Sequence, residues 1–437
     1  MEYLLEAKAV GIITEILQDV ALPRMVRVRQ TFSASAIGDV AAALRSELCK
    51  PVIAHRIRKD MRIAVAVGSR GVAEIPLIVR IVVGQIKAAG AEPFIVPGMG
   101  SHGGATAQGQ IEVLAGLGIT ETSMGCLIVS SMDVVEIGVL PNGLPILLDK
   151  NAMQADGIVI INRIKPHTAF SGPIESGLVK MITIGLGKQK GADSCHTFGF
   201  GHMAKNIVDM ARVKLQKAPF LFGVGTVENA YDKIAKIVAI PAEEILETEE
   251  QLLIEAKRNM PGILFTPLDV LIVDQMGKEF SGAGMDSNIT GRASTPYVAM
   301  SQKTSKMAVL DLTDPSHGNA VAVGLADITT RRLFNKINFE HTYANALTST
   351  VTLGGMIPLI MESDRLAIQA AVKTCNVTNM EKLRMVRIPN TLHVKEIDVA
   401  ESMLEEARQH PQMEIIGEPR EIVFDADGNL KDIGAWH

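Results

Sequence analysis

Aromatic residues are scarce in this chain of 437 residues: 12 Phe, 4 Tyr and one Trp, 4% in all. Proteins that hold single-stranded nucleic acid stack bases on such side chains, so that class is disfavoured. Basic charge is short as well. Lys and Arg number 43 against 48 Asp and Glu, a net charge of −5 with His neutral, whereas non-specific DNA or RNA binding needs a basic field. Cysteine is sparse, and Cys49, Cys126, Cys195 and Cys375 form no C-x-x-C pair. No structural zinc or iron–sulfur cage is indicated, and scattered thiols suit a reducing compartment. An apolar run of about 18 residues, the length of a membrane span, is also missing. The greasiest stretch, VAEIPLIVRIVVGQI, is broken by Glu74, Pro76 and Arg80. The N-terminal stretch carries Glu2, Glu6 and Glu15 in place of the basic start and apolar core of a signal peptide. A cytoplasmic protein is expected, with neither nucleic acid nor membrane as partner.

What is present reads as an ordinary globular chain, 47% hydrophobic and 21% charged. Its length is enough for two or three domains at about 150 residues each. Short apolar runs alternate with helix-length segments. RIAVAV (62–67), EPFIVPG (92–98), CLIVSS (126–131), GIVIINRI (157–164) and LFGVGTV read as strands. Helices are expected at 74–89, 106–117 and 204–217, and PNGLPILLDK reads as an N-G turn between short strands. A charged helix over 241–259 ends at Pro261 and Gly262, which marks a boundary. Beyond it LDVLIVDQ, MAVLDL, a helix-like stretch near 328–337, MIPLIM and LRMVRI start a second alternating series. The expected fold is therefore α/β: two α/β domains with mostly parallel sheets and a cleft between them. They span 1–262, catalytic and cofactor-binding, and 263–437, with the tail free to pack back on the first domain.

In open α/β sheets ligands gather at the carboxyl ends of strands. Three such ends carry unusual residues here. GSRG brings Arg70, PGMGSHGGAT brings His102 with Gly103 and Gly104, and the long stretch after GIVIINRI brings His167, Lys180, Cys195 and His196. Each residue has a plainer reading. Arg70 can cap a strand as well as bind a carboxylate or phosphate, His102 can bond a local carbonyl, and His196 can pair with Cys195 or simply pack. Lys180 can be a solvated charge. Convergence on successive strand ends is what points to a site. In the second domain, DQMGKEFSGAGMDSNITGR places Asp274, Lys278 and Arg292 on another strand-end loop. It reads equally as a turn with a capped helix. GKQKGA lacks the full spacing of a P-loop.

PGMGSHGGAT, IKPHTAFSGPIESGLVKM followed by CH, and DSNITGR together resemble the nickel-pincer lactate racemases and their homologues. The resemblance implies a cofactor, the nickel-pincer nucleotide (pyridinium-3,5-bisthiocarboxylic acid mononucleotide nickel), and with it cofactor-biosynthesis proteins. It implies His102 and His167 as an acid/base pair, His196 as the nickel ligand and Lys180 as the tether. Arg70 would orient anionic groups, and Arg292, with Lys278 nearby, would supply the second-domain cation. Gly103 and Gly104 would let the backbone approach the cofactor. The family's D-x-T-R-P strand end reads VGSRGV here, and Lys180 follows His167 by 13 residues, leaving covalent and non-covalent attachment both open. The implied reaction is racemisation or epimerisation at C2 of a 2-hydroxy acid. One His takes the hydroxyl proton as hydride leaves C2 for the cofactor, and the other serves the opposite face. Two other readings stand beside it: a lyase or epimerase holding an ordinary divalent metal at His102, His167 and His196, and a non-catalytic protein that binds a small acid or nucleotide.

Overall fold

The structure is a computed structural model that describes residues 11–69, 71–434 and 436. The chain divides into two compact units, Ser33–Met260 and the residues through Phe32 together with those from Pro261 onward. Both are α/β, with sheets that are mostly parallel.

In Ser33–Met260 the sheet runs in the order Glu92–Pro97, Arg62–Val67, Gly157–Arg163, Phe220–Glu228, Ile234–Pro241. The first four strands are parallel and the last is antiparallel. Ile63 through Val67 and Ile158 through Ile161 are buried without a break, because helices cover both faces of a parallel sheet and leave no polar side. Helix Ile75–Ala88 lays Ile75, Ile78, Val79, Val82 and Ile86 on it at helical spacing. Helix Ala107–Gly116 starts where the Thr106 hydroxyl accepts from the Gly109 N–H at 3.0 Å. The N-G turn does join two short strands, Val134–Val139 and Pro145–Asp149. The strand expected over 126–131 shrinks to one parallel bridge, Ile95 to Ile128.

The other unit has an eight-stranded sheet. Leu359–Met361, Ile328–Thr330, Thr304–Leu312, Leu268–Met276 and Met385–Ile388 are parallel in that order. Glu396–Ala400, Met25–Gln30 and Met413–Ile415 extend it antiparallel. The helix-like stretch near 328–337 is a short β-branched strand followed by helix Arg331–Lys336, capped by the Thr330 hydroxyl at 3.1 Å from the Leu333 N–H.

Two boundary expectations are corrected. The first domain begins at Ser33, since strand Met25–Gln30 pairs with Glu396–Ala400 and Met413–Ile415. Arg27 and Arg29 meet Asp398 and Glu396 across that ladder at 2.5 and 3.1 Å. The tail accordingly packs on Met25–Gln30 within its own unit. Such pairings join residues more than 365 positions apart, so no local pattern announces them. Among the described residues, no helix is long and apolar enough to cross a membrane.

Candidate active site

Three neighbouring parallel strands, Arg62–Val67, Glu92–Pro97 and Gly157–Arg163, end on one edge of the sheet in Ser33–Met260. Each feeds one of the unusual loops. Arg70, on the first, lies outside the described residues. Its neighbour Ser69 hydrogen-bonds through its hydroxyl to Nδ1 of the exposed His102 on the second loop. Gly103 takes φ 66° and packs so closely on the next helix that a Cβ would stand 2.6 Å from the Gln110 nitrogen. Only glycine fits there. Gly104 faces open space.

The third loop folds around a carboxylate. Glu175, 1% exposed, accepts from the N–H groups of His167 (2.7 Å) and Gly172 (3.1 Å) and pairs with Lys257 at 2.6 Å. This fixes the backbone at His167. Its Nδ1 accepts from the Ala169 N–H at 3.0 Å, and its Nε2 lies 2.7 Å from Lys180 Nζ. Phe170 and Phe200 stand 4.5 and 6.2 Å from the His167 ring.

Lys180 sits in a turn clamped at both ends by buried charge-bearing side chains. At the amino end Glu249, fully buried, accepts from the Val179 N–H at 2.9 Å. Gly177 admits it, since a Cβ there would meet a Glu249 oxygen at 2.3 Å. At the other end Lys214 Nζ donates to the carbonyls of Ile182 and Thr183, both at 2.9 Å, in the wide π-helical turn Met181–Gly185. An acceptor at the first N–H groups and a donor at the last carbonyls are what a helical turn lacks on its own. Burial pushes the Glu249 carboxyl up to about 8 and the Lys214 amine down to about 7. A neutral amine still has two N–H bonds for two carbonyls, so the clamp survives loss of the charge.

His196 ends helix Lys188–His196. Its Nδ1 donates to the Ala192 carbonyl at 2.7 Å, which leaves the lone pair on Nε2. Burial holds the imidazole below its ordinary range, against the Ala192 hydrogen bond. A neutral imidazole with one nitrogen fixed by a carbonyl is the usual form of a histidine metal ligand. Phe200 lies edge-on to it at 5.5 Å. Cys195 is not its partner. That thiol is buried against Met203 Sδ at 3.5 Å, and burial raises it to about 12. Among the described residues no three His, Cys, Asp or Glu side chains gather as a metal site, so His102, His167 and His196 do not form the three-ligand set that an ordinary divalent metal requires.

In the other unit Arg292 is committed locally. It pairs with Asp327 at 3.0 Å and donates to the carbonyls of Leu325 and Ser305 at 3.3 and 2.9 Å. Asp274 is buried and held by Arg387 at 2.7 and 2.8 Å and by the Trp436 indole at 2.7 Å. Lys278 Nζ donates to the Gly282 carbonyl at 3.0 Å.

Sequence reasoning singled out His102, His167, Lys180 and His196. It did not see Glu249, which lies in the helix read as charged, or Lys214 and Phe200. A carboxylate on the inward stripe of an amphipathic helix was the available signal for Glu249.

Residues 13–207 match a family model described as the lactate racemase N-terminal domain. The match takes in all three strand-end loops and stops short of Lys278 and Arg292. Among solved structures, the lactate racemase apoprotein from Thermoanaerobacterium thermosaccharolyticum aligns at 16% identity with a TM-score of 0.42, covering 66% of this chain and 73% of that one. No curated protein matches in sequence.

Proposed function

We propose that this chain, lactate racemase-like over residues 13–207, is a racemase or epimerase acting at C2 of a 2-hydroxy acid with a nickel-pincer nucleotide. The observation that carries the reading is the convergence on one sheet edge of His102, of the His167–Lys180 pair at 2.7 Å and of His196 with its Nε2 lone pair. The residues fit the cofactor. His196 offers one neutral nitrogen to a metal whose remaining donors come from an organic ligand, Lys180 offers an amine for attachment, and Phe170 and Phe200 provide apolar walls. When bound, the nucleotide supplies a hydride acceptor, which spares the reaction a carbanion at a weakly acidic carbon.

The remaining work falls to the chain. His102, oriented through Nδ1 by Ser69, takes or returns the hydroxyl proton at Nε2 for one enantiomer. His167 does the same for the other, once Lys180 turns away and releases its Nε2. Imidazole suits both directions near neutral pH. Arg70 is the cation assigned to the substrate carboxylate or the nucleotide phosphate, and Gly104, facing open space, keeps the approach open. Arg292 braces its own loop.

The test is native and denaturing mass spectrometry with nickel quantified, on protein co-produced with the cofactor-making enzymes, followed by assay of racemisation over a panel of 2-hydroxy acids. Nickel with a nucleotide-sized added mass and interconversion of enantiomers is the expected result. Survival of that mass under denaturation identifies Lys180 as a covalent tether, and its loss a non-covalent one. Absence of both nickel and added mass overturns the reading.

A further inference from the structure

The loop that presents His102 closes on backbone bonds of its own, from the His102 N–H to the Met99 carbonyl and from the Ala105 N–H to the Ser101 carbonyl, both at 3.1 Å. Gly100, Gly103, Gly104 and Ala105 have φ of 58°, 66°, 62° and 54°, and a non-glycine residue in that region is disfavoured. A second hold is a chain of buried polar groups. Gln110, fully buried, donates through Nε2 to the carbonyls of Gly100 at 2.9 Å and His102 at 3.3 Å. Its Oε1 accepts from Lys188 Nζ at 2.9 Å. Lys188 Nζ also donates to the carbonyl of Pro97, the last residue of the preceding strand, at 2.6 Å. Asp149 Oδ2 lies 3.2 Å from the same nitrogen, and both side chains are wholly buried. Asp149 is fixed in turn by the Ala152 N–H at 2.8 Å on Oδ1. Lys188 opens the helix that ends at His196.

Stability alone does not account for this chain. Burying an ammonium and a carboxylate is costly, and an apolar pair of the same volume often serves a core as well or better. What apolar side chains cannot supply is a donor aimed at two particular carbonyls. Burial drives the Lys188 amine down and the Asp149 carboxyl up, and their pairing opposes both. In either protonation state the amine keeps N–H bonds for Gln110 and Pro97.

We propose that Lys188, acting through Gln110, is a positioning residue that sets the backbone at His102 and hence the aim of its imidazole. The catalytic meaning of this rests on reading His102 as a base, while the positioning itself does not.

The experiment is histidine side-chain NMR on the full chain as produced, with the His102 signal assigned through His102→Asn. The variants are Gln110→Leu, which leaves the ion pair in place, and the double variant Lys188→Met with Asp149→Leu, which leaves no charge unpaired. The expected result is that both variants shift the His102 resonance and move its titration midpoint by about half a unit or more, with the His167 and His196 signals in place. In cofactor-loaded enzyme kcat should fall about tenfold or more with KM within about twofold, at unchanged nickel content. An unmoved His102 signal in Gln110→Leu overturns the proposal, as does a common shift of all three histidines, which would mean general loosening. If wild type interconverts no 2-hydroxy acid, the function is wrong, and the NMR result still decides the positioning.

Discussion

Each unit buries an acid–base pair, and the two pairs are built differently. Arg387 grips Asp274 with two hydrogen bonds at 2.7 and 2.8 Å, and Asp432 and the Trp436 indole close the remaining sides. A planar guanidinium in a two-point grip locks geometry and has little left to offer. Lys188 and Asp149 meet at a single contact of 3.2 Å, and the ammonium spends its other N–H bonds on Gln110 and Pro97. The first pair is closed on itself. The second passes its hold outward to a loop that ends in an exposed histidine. The same contrast separates the strand-end cations: Arg292 is paired with Asp327 and with backbone carbonyls, whereas Lys180 faces an imidazole nitrogen. A buried charge serves structure when all its bonds turn inward, and a site when one of them reaches a reactive group.

Substitutions that break this contrast should rank as follows. The largest effect belongs to the histidines. His102→Ala and His167→Ala should each lower turnover by about 10²- to 10⁴-fold with nickel content unchanged, whereas His196→Ala should lose nickel itself. Metal analysis beside a racemisation assay separates the two outcomes, and full activity in both base variants would end the two-base reading. Next comes the closed pair. Arg387→Met strands Asp274 in the core and should cost about 3–5 kcal/mol of stability in chemical unfolding, with no change in nickel bound per folded molecule.

The clamps on the Lys180 turn sharpen the comparison through pH. The Glu249 carboxyl is raised from 4.5 to about 8 in the folded chain. The folded state holds that proton more tightly, so this contribution to stability is full below 4.5 and is lost as pH rises to about 8. Lys214 is lowered from 10.5 to about 7, so its contribution runs the other way and grows as pH rises from about 7 to 10.5. Glu249→Gln should flatten the first slope and Lys214→Met the second, read from unfolding midpoints across pH. A slope unchanged in the matching variant would remove that residue from the clamp. The smallest effect is expected at Arg292. Arg292→Met should cost about 1–3 kcal/mol through its lost partners and leave cofactor loading as it was.

Much of this molecule is visible in one dimension. The runs RIAVAV and GIVIINRI are continuous because a parallel strand is buried on both faces, and the glycine-rich loops with their histidines follow those runs directly. Such features depend on neighbours within a few residues. Others do not. Met25–Gln30 looks like the opening of the first domain, and only its ladder with Glu396–Ala400 places it in the second. GKQKGA reads as an incomplete phosphate loop, yet Lys188 is buried and bonded to Gln110 and Pro97, 78 and 91 positions away. Glu249 belongs to a helix that reads as charged, yet it is fully buried and bonded to the Val179 N–H, 70 positions earlier. Most of the order of strands and helices and the candidate side chains were therefore legible in local pattern, since periodicity and turn chemistry act over a few residues. Which charges turn inward, which carbonyls they hold and which unit the first strand joins were settled only on folding, because a buried polar group takes whatever partner the tertiary structure brings to it.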